Sequence, residues 1–337
     1  MKKVLMIIAL LSVFAPYSVV SANYNQRQDV QEFIAEMVAQ HGFDKNQLMT
    51  LMQHVKKQTT AIEAIARPAE GKPWKDYRPI FITKNRIVKG VQFWREHQDE
   101  LKRAEQAYGV PAEIIVAIIG VETFYGTRSG NYPVLDALTT LGFDYPLENT
   151  TQERRDSREQ FFRKELKEYL LMSREEQVDP RSLKGSYAGA MGMPQFISSS
   201  FRAYAVDFDG DGKRDLWTST PDAIGSVANY FSRHGWLKGK PIVSRAQVSN
   251  DARELGSKKM KPHTQIKEFK KKGAVPLQTF ADDEMATLLK FEGKKGQEYW
   301  IGLHNFYVIT RYNHSPLYAM AVYQLGQAVA SEYFASR

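Results

Sequence analysis

The chain contains no cysteine. That absence removes disulfides, thiolate metal sites and cysteine nucleophiles, and with them a lipid anchor attached through a processed N-terminal cysteine. At 337 residues a chain buries enough core to fold without disulfides, even in an oxidising compartment. Long apolar runs are scarce. The stretches at residues 4–14 and 114–121 both fall short of the roughly 20 residues a bilayer-spanning helix needs. Neither HExxH nor GxSxG occurs, and His234, His304 and His314 lack zinc-ligand spacing, which argues against metalloprotease and serine-hydrolase chemistry. Internal repeats and low-complexity tracts are absent too.

Acidic residues are outnumbered by basic ones, 38 to 46, for a net charge of +8. The first residues do not belong to the fold. Met1-Lys2-Lys3, the apolar run that follows and Val20-Ser21-Ala22 have the form of a secretory signal peptide cleaved after Ala22. Without Lys2 and Lys3 the expected mature charge is +6. A basic surface points to an anionic partner. Export argues against nucleic acid and fits peptidoglycan, whose peptide stems carry carboxylates. The expected location is the periplasm, with no lipid anchor and no transmembrane helix once the signal is removed.

Periodicity predicts an α+β fold that is mostly helical. Val30, Phe33, Ile34, Met37 and Val38 share one helical face, with Asp29 and Glu32 at capping-box spacing. Gly42 ends that helix, and Asp44 caps the next, with Leu48, Leu51, Met52 and Val55 inward. Pro68, Gly71, Pro73 and Pro79 mark residues 64–83 as a connection. Helical pattern resumes over 88–108. Pro111 opens a helix whose residues 114–121 are apolar on every side, the signature of a buried core helix. Further helices are expected at 157–172, 221–234 and 319–334. Between 240 and 300, short β-type runs at 241–248, 286–291 and 299–303 alternate with lysine clusters, and 306–312 is expected as the last strand. The expected divisions are an N-terminal helical region (23–105), a core (106–239), a small basic β-containing insertion (240–305) and a C-terminal return to the core (306–337).

Glu122 carries the strongest chemical signal. It follows Ile118-Ile119-Gly120-Val121 at the end of the apolar helix. Desolvation and the negative end of the helix dipole both favour its neutral acid form. A glutamic acid still protonated near neutral pH is what a glycosidic oxygen needs as proton donor; a surface glutamate at a helix end is the plainer alternative. Some sixty residues on, the stretch 185–196 is too rich in glycine and alanine for a helix interior. It suits backbone packed close to a ligand, with Ser186 and Gln195 offering hydrogen bonds. The second signal is an EF-hand-type loop. Asp207, Asp209, Asp211 and Asp215 stand at positions 1, 3, 5 and 9, with Gly212 at 6 and Thr218 in place of the usual glutamate at 12. Aspartates at alternate positions repel one another without a cation, so Ca2+ in a structural role is expected, against an Asp/Gly-rich turn that binds nothing.

Gly120-Val121-Glu122-Thr123, followed by Ala188-Gly189-Ala190-Met191-Gly192 and Gln195-Phe196, resembles the lytic transglycosylase family with a goose-type lysozyme-like core. The segments 141–146, 222–231 and 309–315 extend the resemblance along essentially the whole chain from about Val30. It implies cleavage of the β-1,4 bond between N-acetylmuramic acid (MurNAc) and N-acetylglucosamine (GlcNAc) without water. Glu122 would serve as acid and then base, leaving a 1,6-anhydro ring. It further implies that Ser186, Gln195 and Asn313 bind sugar groups, that Tyr77, Phe161 and Tyr312 form aromatic walls, and that Arg158 lies near the muramic peptide. Phe161 stands where the family can carry tyrosine, so a hydroxyl contact is lost there. Lys213 would give calcium its backbone carbonyl, and Asp222 would close the loop. No organic cofactor is implied. Two rivals stay open: a hydrolytic muramidase on the same core, and a non-catalytic calcium-dependent peptidoglycan-binding protein. From sequence, Asp136 or Asp144 could still approach Glu122 as a second carboxylate.

Overall fold

A computed structural model describes residues 23–66, 71–148, 150–249, 256 and 259–336. The expected signal peptide, residues 1–22, lies outside them. The chain divides into two compact units, one ending at Lys57 and one beginning at Gln58.

Among its described residues the first unit holds one 3-10 turn and helices α1 (Gln28–His41) and α2 (Lys45–Gln53). Helix α1 buries Val30, Phe33, Ile34 and Met37, the i, i+3, i+4, i+7 face of the pattern, and stops at Gly42 with φ 65°. Asp44 caps α2, its carboxylate accepting the Gln47 N–H at 2.8 Å. The capping box expected at Asp29 is corrected. The N-cap is Arg27, without a side-chain cap, and Asp29 lies in the first turn of α1, ion-paired to Arg27 at 2.7 Å. An acid there still complements the helix dipole.

The second unit begins with α3 (Thr59–Ala66), α4 (Trp74–Phe81), α5 (Lys84–Glu96) and α6 (Gln98–Tyr108). Two of these overturn the expected connection over 64–83. Helix α4 keeps Pro79 inside it, anchored by fully buried Trp74; one proline removes one hydrogen bond, and tertiary packing outweighs that local loss. Helix α7 (Ala112–Thr123) is the hub, packing against α5, α6, α11 (Thr220–Arg233) and α14 (Pro316–Ala335). Contact on so many sides is why it is apolar all round: Ile114 through Ile119 are 0% exposed. Each large aliphatic side chain so buried contributes about 1.5–3 kcal/mol. Helices α8 (Val134–Phe143), α9 (Gln152–Glu175) and α10 (Ser198–Tyr204) complete the helical layer, α9 packing on both others. Strands β1 (Tyr132–Pro133) and β2 (Lys184–Gly185) pair beside α8.

Among the described residues the sheet has five antiparallel strands in the order β4-β6-β7-β3-β5, from β3 (Val243–Val248), β4 (Thr264–Gln265), β5 (Ala274–Pro276), β6 (Met285–Gly293) and β7 (Gly296–Gly302). With α12 (Ile266–Lys271) it encloses its own small core of Ile266, Phe269, Ala274, Ala286, Leu288, Ile301 and Leu303. The strand expected at 306–312 is instead helix α13 (His304–Tyr312). Its buried residues, Asn305, Phe306, Val308, Ile309 and Thr310, crowd one side with no alternation. The Asn305 side chain fastens its start, accepting the Leu237 N–H and donating to the Leu237 and Lys240 carbonyls.

Candidate active site

The end of α7 is shaped by an unusual backbone. Phe124 and Tyr125 both adopt left-handed conformations, with φ 51° and 60°. Their N–H groups return to the Gly120 and Ile119 carbonyls, closing the helix right after Glu122 and Thr123. Left-handed backbone costs a non-glycine residue roughly 1–2 kcal/mol, offset here by packing. The Tyr125 ring folds back against Gly120, where a Cβ would meet it at 2.7 Å, and its hydroxyl donates to the Arg86 carbonyl at 2.9 Å.

This turn leaves Glu122 half-buried, unlike the buried residues on either side. The Tyr318 hydroxyl, from the first turn of α14, donates to its Oε1 at 2.6 Å. Burial pushes the Glu122 carboxyl from 4.5 up to about 7, and the Tyr318 hydrogen bond only partly opposes that. No acidic side chain among the described residues contributes to the shift. Asp136 instead accepts from the Gln58 amide at 3.0 Å, at the start of α8, and Asp144 caps the end of that helix. Burial, reinforced by the Glu122 charge, holds the Tyr312 and Tyr318 hydroxyls well above the ordinary tyrosine range. They are therefore neutral hydrogen-bond donors at any working pH.

A second segment is tied to this end of α7. Stretch 185–196 is irregular, as its glycines predict, and is held by bridges from Gly185 to Met191 and from Met191 to Phe196. Buried Thr123 donates to the Met193 carbonyl at 2.9 Å and accepts the Gly126 N–H at 3.0 Å, joining the two segments. Gln195 has φ 53°, and its amide nitrogen donates to the Ser129 and Gly192 carbonyls, each at 3.0 Å. Among the described residues, three of the four left-handed non-glycine residues thus lie at this junction, where backbone strain tends to gather at working sites. The Ser186 hydroxyl accepts the Ala190 N–H at 3.0 Å, bracing the same loop.

The tyrosines close the cluster. The Tyr312 ring stacks on that of Tyr318, with centroids 6.4 Å apart and planes 9° off parallel. Its hydroxyl donates to the Pro194 carbonyl. Tyr77, on α4, is near enough to influence Tyr318 electrostatically. Asn313 follows Tyr312 directly and is exposed. The structure therefore gathers Glu122, Tyr312 and Tyr77, with Gln195 and Ser186 on the loop tied to α7. Arg158 and Phe161 form a separate group on α9: the Arg158 guanidinium lies 4.8 Å from the Phe161 ring centroid and 5.9 Å from that of Tyr145. No hydrogen bond, ion pair or ring contact joins that group to Glu122 among the described residues. Sequence reasoning missed Tyr318; its one available signal was a position just after the 309–315 segment, at the start of a helix opened by Ser315-Pro316.

In the acidic loop, the carboxylates of Asp207, Asp209 and Asp211 present oxygens within 4.8 Å of one another, all exposed. Asp207 accepts the Gly210, Asp211 and Gly212 N–H groups, which curls the chain around that point. Such a set of hard oxygens fits a calcium ion. The Lys213 N–H donates to the Asp211 carboxylate at 2.9 Å. Asp222 is not one of the three convergent carboxylates, though the Asp209 charge reaches it. It is 0% exposed and accepts N–H groups from Phe208, Asp209 and Asp215.

Residues 25–327 match the transglycosylase SLT domain family. Membrane-bound lytic murein transglycosylase B from Escherichia coli is 44% identical over 91% of this chain and 84% of its own length. The crystal structure of the soluble lytic transglycosylase SltB1 from Pseudomonas aeruginosa superposes with a TM-score of 0.84 at 54% identity, covering 90% of this chain and 99% of that one. Slt35, the E. coli lytic transglycosylase solved in complex with calcium, gives 0.83 at 45% identity, covering 92% and 95%.

Proposed function

Because this chain belongs to the transglycosylase SLT family and is a lytic transglycosylase of peptidoglycan, we propose that Glu122 alone performs its acid–base chemistry. Protonated Glu122 gives its proton to the oxygen linking MurNAc to GlcNAc, and the bond from C1 of MurNAc to that oxygen breaks. The resulting carboxylate accepts the C6 hydroxyl proton of the same MurNAc as that oxygen bonds to C1, closing a 1,6-anhydro ring. The substrate's N-acetyl group steadies the charge at C1 between the two steps, which is how some glycosidases dispense with a second carboxylate. The observation that carries this reading is the Glu122 carboxyl itself, desolvated to about 7 with a tyrosine hydroxyl as its partner and, among the described residues, no acidic neighbour perturbing it. Ser186, Gln195 and Asn313 are proposed to hold the sugars, Tyr77, Tyr312 and Phe161 to flank them, and Arg158 to meet the muramic peptide. The divisions at 23–105, 106–239, 240–305 and 306–337 are proposed as the working parts, and the periplasm as the location.

Mass spectrometry of fragments released from purified sacculi tests the reaction. Anhydro-muramyl ends are expected; reducing MurNAc ends would replace the proposal with the hydrolytic muramidase. Tyr318→Phe tests the carboxyl's partner. Losing a bond that lowers the Glu122 pKa should move the alkaline limb of the kcat/KM profile upward, with kcat down roughly tenfold. An unmoved limb would show that Tyr318 does not act on the acid.

For the acidic loop we propose a structural Ca2+ held by Asp207, Asp209 and Asp211 with the Lys213 carbonyl. Support comes from the convergent carboxylates and from the calcium complex of Slt35. Asp222, which accepts three backbone N–H groups of the loop and its flank, is proposed to close it. Chelation is expected to lower Tm by about 5 °C, as for an ion present at a hundred times its Kd. Asp209→Ala should have a lowered Tm that no longer responds to chelator. Equal Tm with and without calcium in the wild type would sink this assignment.

A further inference from the structure

The chain carries a second, basic cavity that the acid–base reading does not use. It measures about 600 Å3 and lies among α4, α14 and the β6–β7 hairpin, with no residue in common with the Glu122 cluster. That size is typical of ligand sites. Among the described residues, Lys75, Arg78, Arg245, Lys294 and Lys295 line it, with Glu298 as the one acid. Two of these charges are already balanced: Lys75 pairs with Glu292, and Arg245 with Glu298 at 2.8 Å while lying 5.1 Å from the Trp300 ring centroid. Three are not. Arg78 gives its Nε–H to the neutral Gln324 side chain at 2.7 Å, leaving its charge unneutralised. Lys294 and Lys295 form the hairpin turn and have no ion pair among the described residues. Trp74, 1% exposed, contributes an indole N–H with no acceptor.

Unpaired cations converging on a concave, aromatic-walled space call for an anion of matching geometry. A guanidinium presents a planar fork that takes a carboxylate in two parallel hydrogen bonds, and lysines supply point charges around it. We propose that this cavity binds a carboxylate of a peptidoglycan peptide stem, anchoring the polymer while the Glu122 site cuts it. The inference rests on the peptidoglycan activity above. Placement favours it. Tyr77 and Arg78 are neighbours on α4, one beside Tyr318 and the other lining the cavity. On α14, Gln324 lies six residues beyond Tyr318, roughly 9 Å along the helix. A stem on a glycan strand held at the tyrosines therefore has a cationic receptor close by.

Titrating the full chain with a free stem peptide, followed by tryptophan fluorescence, tests this beside the same peptide with its carboxylates amidated. The free stem should saturate, and the amidated one should bind at least about tenfold more weakly. Lys294→Gln with Lys295→Gln, and separately Arg78→Gln, should each weaken stem binding by about tenfold and flatten its salt dependence, with Tm and cleavage of peptide-free glycan strands unchanged. Equal binding of the free and amidated stems would overturn the proposal. So would variants that bind the stem like wild type, or that lose cleavage of peptide-free strands at unchanged Tm. A wild type that cuts neither sacculi nor peptide-free strands would instead refute the activity on which the inference rests.

Discussion

Glu122→Gln is expected to lower glycan cleavage by about 10⁴-fold while leaving the protein folded. General acid–base transfer contributes roughly 10²–10⁴, and here one side chain serves both proton steps, so the upper end applies. Glutamine keeps the shape and can still accept from Tyr318, but it has no proton to give. The same substitution should stabilise the fold above neutral pH. The carboxyl rises from 4.5 to about 7 on folding because burial disfavours its charged form. Its neutral form is tolerated below 4.5, and stability is progressively lost as pH climbs through 7. A side chain that cannot ionise escapes that loss, which amounts to about 3 kcal/mol at most. Cleavage by the wild type should follow the protonated fraction, with kcat/KM flat below neutrality and falling about tenfold per pH unit above 7. Enzyme assays and thermal melts across pH 5–9 check both outcomes together. A variant that lost activity through misfolding would show a lower Tm, the opposite sign.

Gly192→Ala is expected to be the most damaging small substitution in the loop that carries Gln195. Gly192 has φ 67°, and a Cβ there would lie 2.4 Å from the Leu216 carbonyl oxygen and 2.7 Å from its carbon. Both are backbone atoms, so no side chain can swing away. The Leu216 carbonyl also accepts the Met193 N–H at 2.8 Å, and the Gly192 carbonyl accepts from the Gln195 side chain. Strain and overlap together should cost about 4 kcal/mol, at the severe end for one substitution. That corresponds to a Tm roughly 7 °C lower. Activity should fall as Gln195 loses its support. Gly239→Ala is the internal control. Its φ is 69°, but nothing lies within 4 Å of the added carbon, so about 1 kcal/mol is expected from the backbone alone. Equal Tm changes in the two variants would show that the approach to Leu216 does not limit the loop.

How much of this was readable in advance depended on the range of the interactions. Glu122 stood out because an apolar helix gains nothing from a terminal acid, and α7 is apolar because other helices pack around it. The glycine-rich loop was legible because its composition cannot sustain a helix. The aspartates at 207, 209 and 211 sit at alternate positions of one short loop, so their convergence needed no tertiary information. What escaped was long-range. Tyr318 meets Glu122 from 196 residues away, and no local pattern marks it. The left-handed turn at Phe124 and Tyr125 contradicts the preference of aromatic residues and exists because the Tyr125 ring fills space beside Gly120. Helix α4 tolerates Pro79 through the anchoring of Trp74, and α13 reads as a strand until Asn305 is seen fastened to residues 237 and 240. Asp222 was marked by its position as the loop-closing residue, and its carboxylate accepts three backbone N–H groups, as that of Asp207 also does.

The most direct test of the central claim is a titration of the Glu122 carboxyl itself, by difference infrared spectroscopy of the wild type against Glu122→Gln. A single carboxyl band converting with a midpoint near pH 7 is the predicted result. A midpoint near 4.5, the ordinary value for glutamate, would mean the side chain is already charged at neutral pH and cannot be the proton donor.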